Sequence, residues 1–434
     1  MTEPKDHSGK RFMKLAGMTA RISKDVARSR WQRLWKNEST RSEQDAELFK
    51  RVGSEIAKTL GDMKGAVMKV GQVVSQYRDV LPEELVDALS SLQKDSAPRP
   101  FSELKPRLQA AFGDQLDTLF ASIDPKAIAS ASIAQVHRAR LQNGQEVIIK
   151  VQYPDIEDAI HSDIKQLRLA LKIARVLPVS SALLDQLFNE ISQSLANELD
   201  YGQEAEAINA FRDFHANDPQ IVIPKVISEL CSRHVLTLSY EPGDPLGELD
   251  ERYSQAQRNA IGSLLFRTMG AQLYQFGQMH CDPHPGNFAV RLDGSLVVYD
   301  FGCIKRLPDG IAKIYRQLTE AALTGDASAV ESGLIRLGAR NTQNTLAMPL
   351  DFYRPWLRLA QDSLGATEPV DFATFPLAER AIKLSRKALP HWRAFQPVPD
   401  LVMINRALGG HYWNLRQLGC QLSTRELIEQ VLSH

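Results

Sequence analysis

The chain has 434 residues, 43% of them hydrophobic and 24% charged, the balance of a globular protein with core enough for two or three domains. Lys plus Arg and Asp plus Glu both number 52, so overall charge does nothing to draw the chain to nucleic acid. Its four cysteines (Cys231, Cys281, Cys303, Cys420) lack metal-ligand spacing, which makes a reducing cytosol the expected compartment and small space-filling thiols the expected role.

Between Lys5 and Lys36, basic residues such as Lys10, Arg11, Lys14, Arg21, Lys24 and Arg28 interleave with Phe12, Leu15, Met18, Ile22 and Val26. A basic helix with an apolar face suits peripheral contact with an anionic membrane, here at its inner, cytoplasmic face. The pattern suits equally a helix packed on the main body, or a disordered leader. No apolar run approaches the ~20 residues that span a bilayer. The longest candidate, Ile261 to Met279, is interrupted by Arg267, Gln272, Gln275 and Gln278 and reads as a core helix.

Residues 46–119 read as helical, broken at Pro82 and at Pro98-Arg99-Pro100. The texture then changes. Residues 128–141 read as a small-residue loop running into a strand, Asn143-Gly144 as a hairpin turn, and 146–151 as a second strand with Lys150 near its end. Strand, turn and strand with a late lysine is the shape of a kinase N-lobe. Helical pattern resumes over 158–214, strands are expected at 221–230 and 234–240, and Glu241 to Pro245 reads as a linker. The backbone of Ser239, Tyr240 and Glu241, where strand enters linker, is the expected adenine contact. From Ser254 onward the chain reads as helical apart from a ribbon over 288–299.

The most informative segment is His280-Cys281-Asp282-Pro283-His284-Pro285-Gly286-Asn287, followed by Asp300-Phe301-Gly302. Asn287 lies five positions after Asp282, and Asp300 thirteen after Asn287. That is the spacing of a kinase catalytic loop and its metal-binding loop. Phosphoryl transfer needs a carboxylate near the attacking oxygen, the place of Asp282. It also needs Asn and Asp oxygens to hold magnesium, the place of Asn287 and Asp300. The ribbon is expected to bring its two outer ends, Asn287 and Asp300, to one metal site.

No G-x-G-x-x-G loop precedes Lys150; Ala129-Ser130-Ala131-Ser132 takes its place. Together with Lys69-Val70-Gly71-Gln72 and the segment Glu198 to Glu204, this closely resembles the UbiB/AarF atypical kinase family, which includes the ADCK proteins, over residues 61–307. The resemblance implies an α+β fold, atypical protein-kinase-like and bilobal, with an N-terminal helical extension and a mostly helical C-lobe. Its parts would be a basic amphipathic leader (1–45), a helical extension with the KxGQ motif (46–119), an N-lobe with inserted helices (120–243) and a C-lobe (244–434).

By the same resemblance Lys150 is the nucleotide-phosphate lysine and Glu204 its helix partner, while Asp282 is the catalytic aspartate and Asn287 and Asp300 are ligands of Mg2+. Ala129, Ser130, Ala131 and Ser132 form the loop at the ATP phosphates. Ser130 departs from the all-alanine run of some members, and its hydroxyl is either a phosphate contact or merely tolerated. Lys69 and Gln72 belong to a cover over the active site, near Glu198 and Asp200. On one helix, Glu198 and Glu204 would point to faces about 120° apart, one toward Lys69 and one toward Lys150.

The implied function is that of an ATP-using atypical kinase or ATPase with an occluded cleft. It would act on, or be regulated by, a small lipid-like molecule, with a ubiquinone-pathway compound as the expectation and no nucleic acid. The competing reading is a nucleotide-gated lipid-binding switch with negligible phosphotransfer. An ordinary protein kinase is disfavoured, because the glycine loop is missing and no A-P-E segment follows Gly302.

Overall fold

The computed structural model describes residues 98–130, 133–154, 199–249, 252–342, 348–396 and 398–433, with shorter stretches and single positions between residues 13 and 87 and between 156 and 196. Internal contacts divide the chain into two units, Met1–Glu206 with Val226–Tyr240, and Ala207–Lys225 with Glu241–His434.

In the first unit, helix α1 (Phe101–Phe112) leads through a short helical turn into four strands. β1 (Phe120–Ser130), β2 (Ala134–Leu141), β3 (Glu146–Gln152) and β4 (Val235–Ser239) form an antiparallel sheet in that order. Val147, Ile149 and Val151 of β3 are buried, the period of two that a strand with one core face must show. That period puts Lys150 on the opposite face, with Val136 and Leu236 as its register partners. The Asn143-Gly144 hairpin forms as expected. Gly144 adopts φ 86° and donates to the Leu141 carbonyl at 2.9 Å, a left-handed position that only glycine takes cheaply.

β1 was not legible, because Asp124 and Pro125 argue against a strand. The ladder absorbs them by shifting register between Ile123 and Ala127. Ala129 and Ser130, expected in a loop, instead end this strand opposite Val136 and Gln135. The buried Gln135 and His137 also have structural duties. Gln135 Nε2 donates to the Arg99 carbonyl at 3.2 Å while its Oε1 accepts from the Arg99 N–H. His137 Nδ1 donates to the Asp124 carbonyl at 2.8 Å, so both buried side chains are satisfied and the lead-in to α1 is fastened to β2.

Helix α2 (Tyr201–Phe214) starts in the first unit and ends in the second. Asp200 lies outside it and accepts from the Gly202 N–H at 2.9 Å. The expectation of one continuous helix through Glu198 and Glu204 is therefore corrected. A side chain that competes for the backbone amide starts a new helix there.

Residues 221–230, which run from the second unit into the first, are not one strand. Only Ile221–Val222 is extended, parallel to Leu296–Val297; Pro224 follows, and Ser228–Leu230 is a turn of 3₁₀ helix. The expected linker is also partly paired, because Asp244–Pro245 joins Ala289–Val290 in the same sheet. Gly243 permits that approach, since a Cβ there would stand 2.9 Å from the Ala289 Cβ.

Ser254 caps helix α3 (Gln255–Ala271) with a capping box to Gln257. The expected core helix ends earlier than Met279. A π-helical turn, Gln272–Phe276, and Gly277 at φ 73° swing the chain into strand Gln278–His280, paired with Ile304–Arg306. Helices α4 (Ile311–Thr324), α5 (Ala327–Arg336), α6 (Arg354–Ser363), α7 (Leu377–Ala388), α8 (Pro399–Leu418) and α9 (Thr424–Leu432) complete the unit, with one further unexpected pair, Val370–Asp371 and Gln421–Leu422.

Glycines let the C-terminal segment press onto α3. A Cβ at Gly262 would sit 2.6 Å from Cys420 Sγ, and one at Gly270 2.7 Å from Val431 Cγ1. In an open helix, Gly→Ala gains about 1 kcal/mol. Here overpacking, about 1–3 kcal/mol, wins. Gly262→Ala and Gly270→Ala should each lower the urea midpoint of unfolding, and an unchanged or raised midpoint would contradict this packing.

Candidate functional site

The first unit carries the lysine. Lys150 Nζ donates to both carboxylate oxygens of Glu204, at 2.8 and 3.0 Å, and stands 5.3 Å from the centre of the Tyr201 ring. The two side chains are only 14% and 6% exposed. A buried ion pair is weak evidence of stabilisation, because removing two charges from water offsets their attraction. Such a pair is better explained by what the ammonium must hold. Helix α2 contributes Glu204 from its first turn, where the helix dipole favours an anion.

Ser130 Oγ lies 3.2 Å from the Tyr153 hydroxyl, whose pKa is raised chiefly by burial. The Ser130 hydroxyl thus already has a partner within the sheet. At the end of β4, Ser239 is opposite Val147, and the Tyr240 N–H donates to the Glu146 carbonyl at 3.2 Å. The Glu241 carbonyl accepts from the Tyr299 hydroxyl at 2.7 Å, and the Glu241 carboxylate pairs with Arg291 at 2.6 Å. Of the expected adenine contacts, the Tyr240 N–H and the Glu241 carbonyl are therefore committed to the protein itself.

The second unit carries the acids. Asn287 Nδ2 donates to Asp282 Oδ2 at 2.8 Å and approaches the Asp282 carbonyl at 3.3 Å. This turns the Asn287 amide oxygen away from Asp282. Asn287 immediately precedes strand Phe288–Val290, which pairs antiparallel with Leu296–Val298. The Tyr299 N–H donates to the Asn287 carbonyl at 3.0 Å, which sets Asn287 against Tyr299, the residue before Asp300, at the open end of the ribbon. Asp300 Oδ1 accepts from the Gly302 N–H at 2.9 Å, and its carbonyl accepts from His280 Nε2. Phe301 packs between Phe211 and His280, at 5.2 and 5.5 Å.

The structure thus brings together Lys150 with Glu204, and Asp282 with Asn287, while Asp300 follows Tyr299, the residue bonded to the Asn287 carbonyl. Lys69, Gln72, Glu198, Ala131 and Ser132 lie outside the described residues, while Asp200 caps α2. Among the described residues, no group of three or more His, Cys, Asp or Glu side chains could cage a metal. An Asp and an Asn oxygen suit magnesium nonetheless, because that ion keeps waters and phosphate oxygens in its shell.

Sequence reasoning missed His411, Gly410 and Asn414 of α8. His411 is buried, its ring 5.3 Å from Phe288, and Phe288 is 5.4 Å from His280. Among the described residues, the Nδ1 atoms of both histidines meet no hydrogen-bond partner. Burial lowers both pKa values, that of His411 to about 3 with help from His280. Cys281 is buried beside Leu273, Met279 and Ile404, and burial pushes its thiol up to about 12, which fits a space-filling role. The only local sign of the α8 contacts was the pair Gly409-Gly410 inside a helix.

The model of the ABC1 atypical kinase-like domain matches residues 91–333. The chain is 28% identical over 429 residues to "Atypical kinase COQ8, mitochondrial" of Schizosaccharomyces pombe, covering 98% of this chain and 69% of that protein. It is likewise 28% identical over 382 residues to "Atypical kinase coq-8, mitochondrial" of Caenorhabditis elegans, covering 87% of this chain but only 50% of the nematode protein. A solved structure, that of Rv3197 with erythromycin from Mycobacterium tuberculosis, superposes with a TM-score of 0.63 at 25% identity, over 90% of this chain and 98% of that one. Among the described residues no helix is long and apolar enough to cross a membrane.

The buried histidines set a pH dependence. Folded His411 resists protonation down to about pH 3, whereas unfolded it titrates near 6.5. Stability is therefore full above pH 6.5 and falls as the pH drops below it, by about 1.4 kcal/mol per pH unit for each such group. Denaturation midpoints measured between pH 7 and 5 should fall less steeply for His411→Gln than for the parent chain. Parallel curves would show that His411 is not held neutral.

Proposed function

The chain belongs to the ABC1 atypical kinase-like family, in the UbiB/COQ8 group, and on that premise we propose that it binds Mg-ATP and moves the terminal phosphoryl group under the control of a small lipid-like molecule. The observation that carries this reading is the loop and ribbon, in which one amide, that of Asn287, braces the Asp282 carboxylate, and the Asn287 carbonyl accepts from Tyr299, the residue before Asp300.

When bound, Mg-ATP would supply the transferable phosphoryl group and the cation that neutralises its charge. Asn287 and Asp300 offer the oxygens for that cation. Lys150, oriented by Glu204, would hold phosphate oxygens. Asp282, steadied by Asn287, accepts the proton of the attacking hydroxyl or water. The COQ8 relatives named atypical kinases support the kinase reading, and the resemblance to the ubiquinone-linked family supports a lipid-like acceptor or regulator. In the same reading the protein works in the cytoplasm, with its basic residues 5–36 resting on the inner face of an anionic membrane, and takes no nucleic acid.

Mg-ATP affinity and phosphate release, measured with and without anionic phospholipid vesicles, test the proposal. Lys150→Ala should weaken Mg-ATP binding about tenfold or more, the loss of a charge-assisted contact. Asp282→Asn should keep binding while turnover falls by about 10² or more. Tight Mg-ATP binding without phosphate release under any condition would instead establish the nucleotide-gated switch. Failure of the parent chain to bind Mg-ATP would reject both.

A further inference from the structure

One turn of helix α8 reaches both ends of the loop that carries Asp282 and Asn287. Asn414, 3% exposed, donates from Nδ2 to the carbonyl of Pro283 at 2.8 Å, and Pro283 is the residue that follows Asp282. His411 sets its ring against Phe288, the residue that follows Asn287. Between them Gly410 makes room for the loop, since a Cβ there would stand 2.1 Å from Pro283 Cγ and 2.6 Å from its Cβ. At its neighbour Gly409 a Cβ would meet nothing within 4 Å.

We propose that Asn414 and Gly410 are positioning residues for the reaction, holding the Asp282 loop in register with Asn287 from a helix remote in sequence. Pro283 has no N–H, so the loop cannot brace itself at that residue through a backbone donor. Its carbonyl accepts from the Asn414 amide, and a carbonyl of a half-buried loop stripped of its donor relaxes toward another partner. Each partner of the Asp282–Asn287 contact lies one residue before a point that α8 fixes. A shift of the Pro283 carbonyl is thus passed to the Asp282 carboxylate without any change to a group that meets substrate. The role rests on the phosphotransfer reading, but the bracing itself does not.

The test uses the full chain with Asn414→Leu, which keeps volume and removes the donor, with Gly410→Ala, and with Gly409→Ala as control. Hydrogen exchange over residues 284–289 is read without ligand, alongside phosphate release at varied ATP. For Asn414→Leu and Gly410→Ala, exchange should quicken and kcat should fall about tenfold or more, the scale of a small misplacement of a reacting group. KM for ATP should stay within about twofold, because nucleotide contacts are untouched. Gly409→Ala should match the parent in both readouts.

Unchanged exchange and kcat in Asn414→Leu would overturn the proposal, even should Gly410→Ala fail to fold. So would Gly409→Ala showing the same losses, which would make the effect one of helix structure alone. If the parent chain releases no phosphate, the functional reading fails, and quickened or unchanged exchange still decides the bracing.

Discussion

The site depends first on the register of a very short ribbon. Strands Phe288–Val290 and Leu296–Val298 are buried on every residue, and the backbone bond from Tyr299 to Asn287 closes their open end. A slip of one residue would turn every side chain to the other face and part Asn287 from Asp300. Several neighbours guard against that slip. Gly294, at φ 86°, turns the hairpin, and Asp293 accepts from both the N–H and the hydroxyl of Ser295. Asp244–Pro245 and Ile221–Val222 then flank the ribbon on either edge.

The second constraint is electrostatic. Lys150 is placed by the alternation of β3, whose Val147, Ile149 and Val151 are buried. Glu204 is placed by a helix that begins only after Asp200 has capped it. Separating the pair would leave a buried charge uncompensated, at about 3–5 kcal/mol. Sheet and helix are thereby tied, and the ammonium is held with one defined direction. In the second unit the acids are arranged differently, by neutral donors. An amide steadies Asp282, and the backbone N–H of Gly302 fixes Asp300.

What could be read from the sequence followed chemistry at fixed local spacing. Asp282, Asn287 and Asp300 are linked by one loop and one hairpin, so the chain alone implies their proximity. Lys150 was legible because a lysine in an apolar strand breaks the pattern, whereas its pairing with Glu204 came from family resemblance. β1 was hidden by Pro125, which the sheet accommodates by a register shift that no local pattern announces. The strand expected at 221–230 was lost to Pro224, and the backbone groups of Tyr240 and Glu241 proved to be engaged by tertiary contacts. Asn414 was out of reach, since it meets Pro283 across 131 positions. Pairing at that range is decided by packing, which periodicity does not encode.

The central claim is that Asn287 and Asp300 together form a metal site that a nucleotide completes. Manganese can replace magnesium at oxygen ligands and reports on itself by electron paramagnetic resonance. Titrating Mn2+ into the parent chain should remove the free-ion signal tightly only when ATP is present, and Asp300→Asn or Asn287→Leu should abolish that uptake. Equal, ATP-dependent uptake by the parent and both variants would contradict the account.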